Sequence, residues 1–173
     1  MSRELPPSHR ALPVLKVLYR NTAHIEKQGG RSNEVLRKVR PASSESGMGA
    51  GEALRAATRA SDLEGAEGAF AQVSQRSLDE AYNALQYTVQ DDAEVHRVVL
   101  AHRAWTLIDL VGERNAHTLL RESVRFCVAA ERRRVARGQG EPEIRTVLPK
   151  LMDHYELHDR ALGASRLDDA ALW

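Results

Sequence analysis

The stretch that decides the fold runs from residue 95 to residue 137, VHRVVLAHRAWTLIDLVGERNAHTLLRESVRFCVAAERRRVAR. It reads as two long helices separated at Gly112. Val95, Val98, Val99, His102 and Thr106 recur at the three- and four-residue spacing of one helical face. Leu120, Val124, Cys127 and Val128 do the same beyond the break. Asp91 or Asp92 stands where the first helix needs a cap, and Asn115 can cap the second. Gly138-Gln139-Gly140 stops the second helix just after Arg137.

Working outward, Ser61-Asp62-Leu63-Glu64 and Ser77-Leu78-Asp79-Glu80 both match the capping box that opens a helix. Pro142 opens a last helix that is expected to end near Gly163, with Ile144, Val147, Leu148, Leu151, Met152, Tyr155 and Leu162 as its buried stripe. Pro149 should kink or shorten that helix, because proline removes a ladder hydrogen bond. Towards the N-terminus, a first helix starts at Pro13, carries Val14, Leu15, Leu18 and Ile25 on one side, and stops at Gly29-Gly30. A short basic segment follows at 33–40, and PASSESGMGAG (41–51) reads as a linker or mobile loop. Strand-type alternation is missing at useful length. The pattern predicts an all-α fold, an antiparallel bundle of five or six helices with an N-terminal helical arm. The expected divisions are 1–50 (arm and linker), 51–163 (bundle) and 164–173 (tail).

Composition narrows the function classes. The 25 Lys and Arg nearly balance the 24 Asp and Glu, which argues against nucleic acid as a partner. Aromatic residues make up only 5%, so the core must be built from Leu, Val and Ala. The single cysteine, Cys127, excludes an internal disulfide and reads as an inert buried thiol. No apolar run reaches the length of a membrane span, so no membrane partner is expected and the cytoplasm is the default compartment. The Gly47–Gly51 run lacks the lysine and the preceding strand of a phosphate loop.

Seven histidines supply the candidate chemistry. His102 falls on the apolar stripe and is expected to point inward, with Asp109 two turns further along the same face. His96 points about 120° away from His102, so the two cannot bind one metal from a regular helix. His96 would need a partner from the last helix, where His154 and His158 have the i,i+4 spacing of a metal pair. His117 sits near the start of its helix between Glu113 and Glu122. The candidate ligand set is therefore His96, His102, Asp109, His117, His154 and His158. The same histidines have a plainer reading as packing or surface polar groups.

Residues 62–128 add a resemblance. Asp62-x-Glu64-Gly65-Ala66-Glu67, then Glu80, His96 and Ala104-Trp105-Thr106-Leu107-Ile108-Asp109-Leu110-Val111-Gly112, resemble the α-helical region of bacterial proteins fused to a Rieske-type ferredoxin domain. That resemblance implies a helical subunit or domain of a metal-dependent oxidoreductase system, with a transition metal such as iron and a redox partner. A Rieske cluster needs two cysteines and two histidines, so any such domain would lie on another chain. Of the family's histidines, His96 is the one matched residue by residue, and Asn115 replaces another. The rival expectation is a non-catalytic helical interaction subunit that binds a partner chain or self-associates.

Overall fold

The computed structural model describes residues 4–30, 37–43 and 47–157. The last helix stops at His154 rather than near Gly163, closed by a left-handed Glu156 (φ 51°) and a hydrogen bond from Leu157 N–H to the Met152 carbonyl at 2.9 Å. The 164–173 tail and parts of segments 33–40 and 41–51 lie outside the described residues. The chain divides into two compact units, residues 1–38 and 39–173.

The first unit holds a short 3-10 turn, Pro7–His9, and helix α1, Leu12–Lys27. Pro13 sits in the first turn, where its missing N–H is no loss. Gly29 takes a positive φ of 100° and Gly30 N–H returns to the Ile25 carbonyl at 2.9 Å, which closes the helix. No residue of α1 is buried.

The second unit is a helical bundle: α2 (Ala50–Arg59), α3 (Leu63–Val73), α4 (Leu78–Val89), α5 (Val95–Val111), α6 (Ala116–Ala136) and α7 (Ile144–His154). The fold is all-α, and the described residues contain no strand. Helix α6 runs through the middle and packs on α2, α3, α4 and α5. Leu54, Phe70, Leu85, Leu120 and Val124 are fully buried around it. Alanines 66, 69, 81, 84, 101 and 104 fill the seams between helices, which lets the backbones approach closely. The expected linker is helical from Ala50, and Gly51 belongs to this packing. A Cβ on Gly51 would lie 2.4 Å from the Tyr87 ring of α4, so any larger residue there would have to push that ring aside.

The helix starts differ from the sequence reading in three places, one of them Asn115, whose side chain does not cap α6 but donates back to the Val111 carbonyl at 2.8 Å. Asp62, not Ser61, caps α3, accepting from Gly65 N–H at 3.0 Å. Ser61 instead ends α2: it takes a left-handed φ of 58°, and Asp62 N–H bonds back to the Ala57 carbonyl. Its own carbonyl accepts two hydrogen bonds from Arg132 of α6, at 3.1 and 2.9 Å. Glu94, not Asp91 or Asp92, caps α5 through Arg97 N–H at 3.1 Å. Asp91 is not free to cap, because both its oxygens are held by Arg59 at 2.7 Å. Ser77 caps α4 as expected, at 3.1 Å from Glu80 N–H.

The largest departure is the rotation of α5. Its buried residues are Arg97, Ala101, Ala104 and Ile108, while Val95, Val98, His102 and Thr106 face outward. The cause is a buried ion cluster. Arg97, 1% exposed, donates to Glu131 of α6 at 2.6 Å and to the Thr88 carbonyl of α4 at 3.0 Å. Arg145 of α7 donates to the same Glu131 oxygen at 2.5 Å, and Arg134 reaches the other oxygen. Glu131 is fully buried, and its partners span 34 residues on one side and 14 on the other. Arg145 is also the one buried residue of α7, whose expected apolar stripe is largely exposed at Val147 and Leu151. Helix α7 continues through Pro149.

Burial alone would push the Glu131 carboxyl up, but hydrogen bonds from Arg97, Arg145 and Arg134 outweigh it and hold the group below the ordinary carboxylate value. Glu67 of α3 behaves alike: burial raises it, and Arg121 and Arg125 of α6, at 2.8 and 2.9 Å, bring it lower. Removing Glu131 would strand two buried guanidinium groups, so Glu131→Gln should destabilise the fold by about 3–5 kcal/mol in urea titration. A triple Arg97→Met/Glu131→Leu/Arg145→Met variant should lose less than the summed single changes. Because both carboxyls sit below their unfolded value of about 4.3, their stabilisation is complete above that pH. It disappears as acid protonates them through the lower folded values. Denaturation midpoints should therefore hold from neutral pH to about 5 and fall steeply below about 4; Glu67→Gln/Glu131→Gln should flatten that fall.

Candidate functional site

The distinctive surface of the bundle is the outer side of α5. Apolar residues occur around the whole circumference of this helix, interrupted on the outer side by His96, His102, Arg103 and Asp109. The bundle covers one side. On the other, Val95 is 62% exposed, Val98 52% and Leu110 79%, while Leu107 and Val111 are open on the flank away from Val98. Val99 lies between them, half-buried. Position is fixed from below: the Arg97–Glu131 pair sets the rotation, and Trp105 stacks on Tyr82 of α4 at 4.4 Å between ring centroids. The stripe thus stands on a rigid helix.

The candidate ligands from sequence scatter over this bundle. His102 and Asp109 are exposed on the outer face of α5, so the inward placement expected for His102 is corrected. The reason is again Arg97, which occupies the buried face that the valines were expected to take. His96 is exposed, pairs with the Glu94 carboxylate and lies 5.9 Å from the Phe126 ring. His154 is exposed and stacks edge-on against its neighbour Tyr155 at 4.7 Å. His158 lies outside the described residues. His117 is half-buried, with its ring 5.5 Å from Phe70. Among the described residues, no group of three or more His, Cys, Asp or Glu is assembled to hold a metal ion. The donor set implied for iron or another transition metal is therefore not brought together by these residues.

His117 has the most site-like surroundings of the six. It lines a cleft of about 160 Å³ with Ser74, Leu78, Ala81 and Glu113. Burial, helped by the nearby Arg121 cation, lowers its pKa below the ordinary histidine value. Ser74 does not supply a nucleophile, since its hydroxyl donates to the Phe70 carbonyl at 2.7 Å. Cys127 is fully buried, and burial pushes its thiol up, away from the reactive thiolate. This matches the inert thiol read from the sequence.

Sequence reasoning missed Arg97, Glu131 and Arg145, and with them the true inner face of α5. A signal existed: Arg97, Ala101, Ala104 and Ile108 have helical spacing, and three of the four are small or aliphatic. An arginine in that register reads as solvent-facing unless its carboxylate partner, 34 residues away, is known. Comparison with known proteins finds no matching family model, no matching curated protein and no matching solved structure. Because His102 is an exposed residue with no partner to lose in the bundle core, His102→Gln should shift the unfolding free energy by less than about 0.5 kcal/mol. A loss above about 2 kcal/mol in urea titration would instead mark the side chain as buried.

Proposed function

We propose that this chain is a non-catalytic helical interaction subunit, which offers the outer face of α5 to a partner chain or to a second copy of itself. One observation carries the reading: apolar residues lie all round α5, yet its own bundle covers one side only and leaves Val95, Val98 and Leu110 open among His102, Arg103 and Asp109. Burying one exposed Val or Leu on such a face contributes about 1.5–3 kcal/mol before the cost of association. A cluster of four or five can therefore sustain a stable contact. Polar residues within the stripe, His102, Thr106 and Asp109, would supply register. The placement of the histidines supports this reading over a metal-dependent one, because three of them sit on exposed surface.

Val98→Glu/Leu110→Glu places two charges in the stripe without touching the core. Sedimentation velocity should show the unchanged chain associating with concentration. The double variant should remain a single chain, its dissociation constant raised by about a hundredfold or more, with an unchanged melting temperature. For a partner of different sequence, a photo-crosslinking amino acid at Leu110 should give a discrete adduct in the producing cell, and one at exposed Glu141 should not. A chain that stays single at all concentrations and gives no adduct at Leu110 would sink the proposal.

A further inference from the structure

The chain's near-neutral balance hides two opposite charges. Residues 1–38 hold eight Lys and Arg against three Glu, whereas residues 39–173 hold 17 against 21 Asp and Glu. Within the first unit, α1 sorts its residues by side. At 100° per residue, Leu12, Val14, Leu15, Leu18 and Tyr19 fall within an arc of about 160°, and each is more than half exposed. Lys16, Arg20, His24 and Lys27 fall within about 80° on the opposite side, with no acidic residue among them. Val17 borders this basic stripe, Thr22 sits within the apolar arc, and Glu26 enters it in the last turn.

We propose that α1 is a surface-seeking helix that lies on an anionic lipid bilayer, its leucine face sunk among the acyl chains and its cations against the headgroups. Three features favour a lipid plane over a groove on a protein. The apolar arc is wide, where a groove takes a narrow stripe spaced i, i+3, i+4 and i+7. The polar side is basic without exception among its charged residues, which complements anionic headgroups. The excess cations belong to the unit that holds α1, and the bundle carries an excess of acids that such a surface would repel. Lying on a surface is distinct from spanning: no helix of the described residues is long and apolar enough to cross a membrane. The sequence expectation of no membrane partner rested on the missing span alone.

The test is flotation of the full chain with phosphatidylcholine vesicles, with and without roughly 30 mol % phosphatidylserine, at roughly 0.05 and 0.5 M salt. Binding should require phosphatidylserine and weaken at the higher salt. Lys16→Gln/Arg20→Gln should weaken it about thirtyfold. Leu15→Glu/Leu18→Glu should abolish it while leaving the thermal unfolding of the bundle unchanged, since α1 buries none of its residues. Equal binding to both vesicle types, or retained binding by Leu15→Glu/Leu18→Glu, would overturn the proposal. Absence of binding to either vesicle type would overturn it too and leave α1 to a protein groove.

Discussion

The bundle is organised around one carboxylate. Glu131, buried in the C-terminal third of α6, is reached by Arg97 from α5 and by Arg145 from α7. A fully desolvated ion pair is a weak source of net stability, because removing the charges from water costs about as much as pairing them returns. Its effect is on choice among alternatives. Helix α5 has two faces apolar enough to be buried, and hydrophobicity alone does not select between them. A charge that has to meet its partner does. Arg97 therefore turns inward, and the valine face turns out.

The same cluster ties together segments distant along the chain. Arg59 of α2 holds Asp91, whose backbone carbonyl accepts from Arg145 at 3.2 Å. A second set, Glu67 with Arg121 and Arg125, joins α3 to α6 in the same way. Small aliphatic side chains leave helix seams narrow and weakly directional, since alanine fits alanine in many rotations. Ion pairs with fixed partners supply the direction that a core poor in aromatic rings lacks.

The sequence made the helices legible because their signals are local: caps at Ser77, stops at Gly29 and Gly138, and spacing along α6. All of these stand in the structure. Ser61 misled for an equally local reason. Helix C-termini favour glycine in the left-handed position, so a serine followed by Asp-Leu-Glu reads as a start, although here it ends α2. The inner face of α5 was not legible. It depends on a carboxylate one helix away and on an arginine that in most contexts points to water. For the same reason His102 and Asp109 came to rest on the outer side of α5, and the candidates among the described residues form no ligand set.

Helix α7 is attached differently from its neighbours. The others lie on the core through rows of apolar side chains, whereas α7 buries Arg145 alone. Pro149 also removes the N–H that would have bonded to the Arg145 carbonyl one turn back. The helix is thus fastened by a clasp at one end. Its backbone amides should exchange with solvent through local opening, well below the free energy of unfolding the whole bundle. That opening would take the Arg145 cation off Glu131 Oε1 while Arg97 kept its grip on the same oxygen and Arg134 on the other, so the bundle would feel the departure of α7 as a change in charge before any change in packing.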